Sequence, residues 1–426
     1  MTTLLVIVFA VLFFVLIMAS IALHEVGHLL PAKIFGIKVP QYFIGFGRTL
    51  WSTKRGETEY GVKAIPLGGF VRLLGMYPPE RTGRKGWLGR MADDARSVEY
   101  EQITPADEGR LFHQKPVWAR IIVMLGGPAM NIFLAFAIFL GINVIHGTYQ
   151  LTLEVNTVSD CIIPADREVR ECTPQDPPTP AALSGVEVGD VLVSFNGVPL
   201  TNWVQMGDLI RENRDQEALV VVERDGQRVE LAPTATVVTA VPDRLDPTKM
   251  LQAGFFGVSP TSELARGGVA ETVDQMWEMT RMSVVALASF PVRIWNVGVD
   301  LVTGQPRDIN SPISIVGASV VAGELSVAEQ IPVPDRVASW MSLLGSINLF
   351  VALLNLVPLV PLDGGHIVGA LYEWLRRGVN RVLGRPDPGA VDTAKMLPVA
   401  YLVGGFLLLG GVVLILADII TPISLF

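Results

Sequence analysis

Residues 3–28 decide the fold of this chain; they read TLLVIVFAVLFFVLIMASIALHEVGH. The first part, Thr3–Leu23, is uncharged and long enough to cross a bilayer as a helix. It leads directly into an HExxH pattern formed by His24, Glu25 and His28. On a helix the two histidines share one face and can bind zinc, and the glutamate can act on a water molecule beside the metal. Because ionisable side chains are costly in a membrane, the segment predicts a zinc hydrolase that works at the membrane.

Two simpler explanations of this segment are a chance match and a cleaved signal peptide. A chance HExxH is rare in a chain with only five histidines. A signal peptide normally has a basic start and a short apolar core, whereas this chain begins Met1-Thr2-Thr3 and continues with a long apolar run. Both observations favour a retained membrane anchor.

The composition extends this interpretation to the whole chain. Half of the 426 residues are hydrophobic and 17% are charged, a balance typical of polytopic membrane proteins. A fifth apolar segment, Met282–Val299, contains Arg293; it is predicted to be an amphipathic surface helix, with a short fifth span as the alternative. We expect four transmembrane helices, built on Thr3–Leu23, Ile121–Ile145, Val337–Leu362 and Met396–Ala417.

Lysine and arginine are concentrated in the connections that follow the first and third spans. Residues 24–120 contain fifteen of them, the short third connection contains five, and the much longer stretch 146–336 contains thirteen. By the positive-inside rule, the first and third loops are cytoplasmic, and both termini and the long middle region are extracytoplasmic. No basic patch remains, and the net charge is −8; both facts exclude nucleic acid as a partner.

The two cysteines, Cys161 and Cys172, both lie in the predicted extracytoplasmic region. A disulfide between them is expected in an oxidising compartment. Two free thiols are the alternative.

Two regions between the spans have strand patterns. Residues 38–76 are rich in glycine and contain three strand-like segments, which predicts a small sheet covered by protein beside the spans. In the extracytoplasmic region, residues 182–197 (ALSGVEVGDVLVSFNG) are followed by a helix and by two strands that meet at Asp225-Gly226. This part resembles a PDZ domain, a fold that captures extended peptides. A spacer without a ligand is the alternative.

Two histidines leave a zinc site incomplete, because catalytic zinc commonly has three protein ligands. The third predicted span ends in NLVPLVPLDGGH, residues 355–366. Asp363 follows an uncharged run in which a carboxylate needs a cationic partner, so it is the favoured third ligand. His366 competes for that role and is otherwise expected beside the site. His113 and His146 are expected at the surface.

Three motifs together resemble the site-2 protease family of intramembrane zinc metalloproteases: HEVGH in the first span, GGPAMN (residues 126–131) in the second and NLVPLVPLDGGH in the third. The resemblance covers nearly the whole chain and is closest to the bacterial RseP-like branch. It implies that His24, His28 and Asp363 bind zinc and that Glu25 is the general base. It also implies that residues 38–76 are a membrane-reentrant β region.

The resemblance further implies substrates and weaker contacts. The substrates would be single-span membrane proteins, such as membrane-anchored anti-sigma factors trimmed by a first protease, or remnant signal peptides. The lipid bilayer and a peptide C-terminus at the PDZ domain would be the other partners. Asn131 and Asn355 are candidates to hydrogen-bond the substrate. An edge strand of the β region, which contains Gly68 and Gly69, is a candidate to bind it by β-addition. Enterobacterial members carry two PDZ domains, whereas we find one here.

The predicted architecture is a polytopic α-helical membrane protein with four transmembrane helices, a membrane-associated β region and an extracytoplasmic PDZ domain of α+β type. Its location is the bacterial cytoplasmic membrane, with the active site near the cytoplasmic face. The predicted segments are the first transmembrane helix with HExxH (1–37), the β region (38–76), a cytoplasmic loop (77–115), the second transmembrane helix (116–147), a Cys/Pro-rich insertion with the PDZ domain (148–240), a linker with the amphipathic helix (241–336), the third transmembrane helix with LDG (337–377), a cytoplasmic loop (378–395) and the fourth transmembrane helix (396–421).

Three other functional classes fit parts of the sequence. A membrane-tethered metalloprotease acting on soluble or unfolded proteins is the nearest alternative. A non-catalytic PDZ adaptor would not need both metal-binding motifs. A metal transporter would be expected to show an internal repeat and polar residues in several spans, which we do not find.

Overall fold

The structure is a computed structural model, and it describes residues 2–79, 100, 103–163, 167, 171–243, 249–308 and 310–423. The chain folds as two compact units. One comprises Met1–Ile142 and Thr272–Phe426 and is called the membrane unit below; the other is Asn143–Glu271 and is called the β-rich unit. Most of the predicted cytoplasmic loop 77–115 lies outside the described residues.

Long apolar helices form most of the membrane unit. Across the whole described chain the helices are α1 (Thr2–Ile34), α2 (Val117–Ile145), α3 (Pro180–Ser184), α4 (Trp203–Asn213), α5 (Val269–Thr303), α6 (Ile315–Val327), α7 (Val333–Asn355), α8 (Asp363–Val382) and α9 (Leu397–Ile420). Within the described residues, five of them are long and apolar enough to span a membrane, namely α1, α2, α5, α7 and α9. The chain is therefore a multi-pass membrane protein.

The prediction of four transmembrane helices is not confirmed, because α5 is a fifth candidate. The segment Met282–Val299 is the second half of this continuous 35-residue helix. Within it, Arg293 donates through Nε to Ser289 Oγ at 2.9 Å, so the guanidinium is partly satisfied by its own helix. In the sequence, the apolar run looked shorter because charged residues interrupt the first half of the helix, namely Glu271, Asp274, Glu278 and Arg281.

The prediction that the third span runs to Leu362 and continues to residue 377 is wrong. Helix α7 ends at Asn355, and α8 starts afresh at Asp363. Pro358 and Pro361 lie between them, and proline cannot donate the backbone hydrogen bond that a continuing helix requires. Helix α8 is amphipathic: one face is buried against the protein, and the opposite face exposes a row of apolar side chains, Val368, Leu371, Leu375 and Val379.

Helices α1 and α2 are in direct backbone contact. A Cβ placed at Gly126 would lie 1.9 Å from the carbonyl oxygen of Gly27, and a Cβ at Gly27 would lie 2.2 Å from the carbonyl oxygen of Gly126. Only residues without side chains allow this approach, as in other small-residue helix contacts within membranes. The contact fixes α2 against the HExxH segment of α1.

The N-terminal half of α1 packs against α6 and α7. A Cβ at Gly323 of α6 would lie 2.5 Å from the carbonyl oxygen of Val6, so these two helices also approach closely. The shared apolar cluster consists of Phe13, Ile17, Ala318, Ala322 and Leu344. Helix α1 is thus held along both of its halves.

The chain after α1 forms the predicted small sheet from two long strands, β1 (Gln41–Arg55) and β2 (Thr58–Arg72). Phe43 pairs with Gly61 in the first part of β2 and also with Phe70 in its last part. The start of β1 therefore has a neighbour on each side. The last part of β2, Gly69–Arg72, pairs with the start of β1 alone and lies at an edge of the described sheet.

A buried carboxylate joins the two ends of the connection between α1 and α2. Asp107 accepts hydrogen bonds from Lys38 Nζ at 2.8 Å and from Thr104 N at 2.9 Å. The bond from Lys38, with those from Thr104, lowers the pKa of Asp107 to about 2 although the carboxyl is buried. The carboxylate therefore stays ionised at neutral pH and ties the start of the β region to the chain before α2.

The β-rich unit is built on one six-stranded sheet whose main path runs in the order β12-β3-β4-β7-β8. Its buried core includes Phe195 and Phe256, with α4 packed against it through Met206 and Ile210. The strands of this unit are β3 (Thr148–Val158), β4 (Val191–Phe195), β5 (Val198–Pro199), β6 (Glu217–Ala218), β7 (Val220–Arg224), β8 (Gln227–Glu230), β9 (Thr234–Ala235), β10 (Val237–Pro242), β11 (Met250–Phe255) and β12 (Val258–Ala265).

The predicted boundary at residue 240 falls inside this unit, which continues to Glu271. Strand β12 pairs with β3, the first strand of the unit, and so completes the sheet from far along the chain. Residues 241–271 are therefore not the start of a linker. In the same unit, Cys161 and Cys172 form a disulfide, with their Cα atoms 5.8 Å apart.

Replacing Gly126 with valine is expected to destabilise the membrane unit, because the new side chain would overlap the Gly27 carbonyl. Overpacking typically costs about 1–3 kcal/mol, so the thermal unfolding midpoint of the purified protein should fall. Gly411→Val is the matched control, since a Cβ at Gly411 meets no atom within 4 Å. An unchanged midpoint for Gly126→Val would contradict the backbone contact.

Candidate metal centre

Three side chains from two helices converge on one point in the membrane unit. His24 Nε2 and His28 Nε2 are 3.2 Å apart, and Asp363 Oδ2 lies 3.6 Å from the first and 3.3 Å from the second. Ligand atoms bound at about 2.0–2.1 Å to a tetrahedral zinc ion lie about 3.3–3.4 Å from one another. The three measured separations match this spacing.

The α1 helix places both histidines on one face, one turn apart, with 7% and 6% of their surfaces exposed. His28 Nδ1 lies 2.8 Å from the carbonyl oxygen of Val123 on α2. A carbonyl can only accept, so Nδ1 of His28 carries the proton and its Nε2 presents a lone pair to the cluster. A backbone carbonyl that orients a histidine in this way is a common feature of metal sites.

The carboxylate comes from the first residue of α8. Asp363 Oδ2 is buried and has no hydrogen-bond donor among the described residues, although it faces both Nε2 atoms. A carboxylate oxygen and the lone-pair nitrogen of His28 held this close are stabilised by a cation between them. The donor set therefore fits a bound divalent metal such as zinc.

Helix α2 leaves room for that metal by means of a glycine. A Cβ on Gly127 would lie 2.2 Å from His28 Nε2 and 2.6 Å from His24 Nε2. Any side chain at this position would therefore occupy the space into which the two nitrogens point. The paired glycines of GGPAMN were visible in the sequence. That one of them, Gly127, lies against the two histidines could not be predicted from it.

The β region lies against the glutamate of the HExxH segment. A Cβ on Gly69 would lie 3.1 Å from Glu25 Cγ, so the sheet edge and this side chain are in contact distance. Tyr42 of β1 donates its hydroxyl to the carbonyl of Ala22 at 2.8 Å, which attaches the sheet to the same turn of α1. Gly68 precedes this contact with φ +100°, a conformation that favours glycine.

The remaining candidates have different positions. Asn131 of α2 is 2% exposed, and its Oδ1 has no partner among the described residues. Asn355 is the last residue of α7 and is partly exposed. His366 lies in the first turn of α8, and the described metal-type cluster contains His24, His28 and Asp363 without it. His113 bonds the carbonyl of Gly75 through Nδ1 at 2.9 Å.

Two histidines one turn apart on an apolar helix, a distant carboxylate and a neighbouring glutamate are the arrangement expected of a metallohydrolase in a membrane. A family model described as Peptidase family M50 matches residues 12–383. The chain is 33% identical to the zinc metalloprotease Rip1 of Mycobacterium tuberculosis over 98% of each chain. It is 27% identical to metalloprotease MmpA of Caulobacter vibrioides, over 83% of each chain. It is 26% identical to zinc metalloprotease RasP of Shouchella clausii, over 87% of this chain and 89% of the relative.

The chain therefore belongs to peptidase family M50, the site-2 protease family. The predictions of a zinc metalloendopeptidase and of zinc as its cofactor are confirmed by these relatives. Membership of this family also supports proteolysis within the membrane in general.

Replacing Gly127 with alanine is expected to lower zinc affinity, because the added methyl group would overlap both Nε2 atoms. The measurement is zinc retention by the purified protein against a competing chelator. Gly141→Ala on the same helix is the control, since a Cβ there meets no atom within 4 Å. Equal zinc affinity of the Gly127 variant and the control would show that the metal lies elsewhere.

Proposed function

We propose that this metalloendopeptidase cleaves transmembrane segments of single-span membrane proteins, with zinc held by His24, His28 and Asp363 and with Glu25 as the general base. The observation that carries the proposal is the convergence of three donor atoms at zinc spacing, two from the membrane-spanning helix α1 and one from the start of the amphipathic helix α8. Bound zinc would supply a Lewis acid that makes water nucleophilic near neutral pH.

Glu25 is placed to move the protons of this hydrolysis. It lies next to His24 in the chain and points to the side of α1 on which the sheet edge lies, because Gly69 is its neighbour. As general base it accepts a proton from the attacking water, and as general acid it then delivers a proton to the leaving amine. Glutamine cannot perform either transfer.

The edge strand Gly69–Arg72 is proposed to hold the substrate. A helical substrate hides its scissile carbonyl in the backbone hydrogen-bond ladder, so cleavage requires an extended segment. Antiparallel strands direct alternate N–H groups to opposite sides, and a Cβ at Gly69 of this strand would lie 3.1 Å from Glu25 Cγ. A segment added to this edge would therefore lie beside the proposed base.

Asn131 and Asn355 are proposed as further polar contacts for the substrate. The unpartnered Oδ1 of Asn131 supports this role, because a buried amide without a hydrogen bond is unfavourable. Asn131 is four residues after Gly127 on α2, so it lies on the same face of the helix as Gly127, one turn further along.

The finer biological role follows from the resemblance of the sequence motifs. We propose that the substrates are membrane-anchored anti-sigma factors after a first cut, with remnant signal peptides as a second class. The β-rich unit would act as a PDZ domain that binds a new C-terminus or excludes bulky ectodomains. In the proposed topology α5 lies along the membrane surface and the other four long apolar helices cross it, so that this unit and both termini are extracytoplasmic and the site opens towards the cytoplasmic face.

The first test is cleavage of a single-span reporter with a short extracytoplasmic tail by wild type and Glu25→Gln. Wild type should cleave it, and the variant should lose at least about a thousandfold in rate while it keeps its zinc, because the general base is absent and the ligands are intact. Zinc content is measured on both preparations. Comparable cleavage by Glu25→Gln would eliminate Glu25 as the base. Faster cleavage of a soluble unfolded protein than of the reporter would favour a membrane-tethered protease.

The edge strand is tested with proline at position 71. Val71→Pro removes one backbone N–H of this strand and should reduce cleavage of the membrane-spanning reporter at least about tenfold, whereas Val71→Ala keeps the donor and should remain near wild type. Zinc content should be equal in both variants. Cleavage at the wild-type rate by Val71→Pro would rule out β-addition at this edge.

A further inference from the structure

A buried ion pair joins the two helices that complete the metal centre around α1. Arg120, in the first turn of α2, donates from Nη2 to Glu373 Oε1 of α8 at 2.5 Å. Glu373 is fully buried and Arg120 is 6% exposed. The second carboxylate oxygen of Glu373 accepts the backbone N–H of Val391 at 2.9 Å, and Arg377 Nη2 lies 3.1 Å from the first.

Such a pair is a poor source of stability. Taking two charges out of water costs about as much as their attraction returns, so apolar replacements of similar size are often no worse. In some proteins a buried, hydrogen-bonded pair instead fixes the alignment of the elements that carry it.

Both residues lie on helices that also contribute to the metal centre. On α2, Val123 comes three residues after Arg120, and its carbonyl orients His28. Gly127, four residues further on, faces the two Nε2 atoms. On α8, Glu373 comes ten residues after Asp363, which is about 15 Å along the helix.

The histidines share one helix, so their mutual distance is set locally, whereas the position of Asp363 depends on how α8 is seated. Among the contacts of α8 with the described structure, two lie between Asp363 and the middle of the helix. Ile367, one turn after Asp363, packs against the cluster that contains Leu29 of α1 and Val123 of α2. The Arg120–Glu373 pair fixes the helix two turns further on.

We infer that Arg120 and Glu373 are positioning residues of the metal centre: their ion pair holds α8 at the angle that brings Asp363 Oδ2 onto the two Nε2 atoms. The inference rests on the proposed ligand set. Metal sites require ligand placement within about 0.5 Å, and a small tilt of α8 about Ile367 would displace Asp363 by that amount. Neither residue needs to touch the metal or the substrate.

The test compares two buried ion pairs of the same unit in the full-length protein. Glu373→Gln removes the charge at α8. Asp418→Asn removes it from the pair that Asp418 of α9 forms with Arg307, where both side chains are 3% exposed and the contact is also 2.5 Å. Asp418 also accepts the backbone N–H of Ser314, at the start of α6. Helix α6 packs on the N-terminal half of α1, away from His24, so this second pair is remote from the metal centre. Zinc affinity is measured by chelator competition, and site geometry by the visible spectrum of the cobalt(II)-substituted protein.

Glu373→Gln is expected to weaken zinc binding about tenfold or more and to change the cobalt spectrum, whereas Asp418→Asn should leave both at wild-type values. Arg120→Met should lose zinc affinity, whereas Arg120→Lys, which keeps the charge, should retain most of it. These two variants test the same ion pair if Glu373→Gln does not fold. Unchanged zinc affinity in Glu373→Gln and Arg120→Met, or an equal loss in Asp418→Asn, would overturn the inference. Wild-type zinc binding by a His24→Ala variant would instead refute the proposed ligand set, and the positioning role with it.

Discussion

The convergence of three ligand atoms from two distant segments is the constraint on which the membrane unit depends. The Nε2 atoms of His24 and His28 and Oδ2 of Asp363 lie 3.2–3.6 Å from one another. The surrounding fold has to hold the two segments together at that point. The glycine contact between α1 and α2, the Val123 carbonyl and the seating of α8 each fix one part of the arrangement.

Much of the centre could be predicted because it depends on local sequence. The i, i+4 spacing of His24 and His28 fixes their common face on any helix, and an isolated carboxylate after a long uncharged run singled out Asp363. What could not be predicted is contact between distant segments. Nothing in the sequence near Gly127 or Val123 indicates that these residues face the histidines. The Arg120–Glu373 pair joins residues that are separated by most of the chain.

The predicted architecture was wrong where an apolar run and a helix do not end at the same residue. The apolar run from Val337 to Leu362 hides a helix end at Asn355, because prolines interrupt the backbone without changing the hydropathy. In α5 the reverse holds, since charged residues shorten the apolar run while the helix continues through them. The β-rich unit ends at Glu271 because strand β12 pairs with β3, a partner that no local pattern in residues 241–271 identifies.

The backbone contact between Gly27 and Gly126 restricts the directions from which a lipid or a polypeptide can reach the site within the bilayer. Two helices whose carbonyls and Cα atoms touch leave no gap for a lipid chain, let alone for a third helix. At the depth of the histidines, a substrate therefore cannot pass between α1 and α2. A membrane-embedded polypeptide that reaches Glu25 has to arrive from another side of α1, and the sheet edge at Gly69 borders that other side.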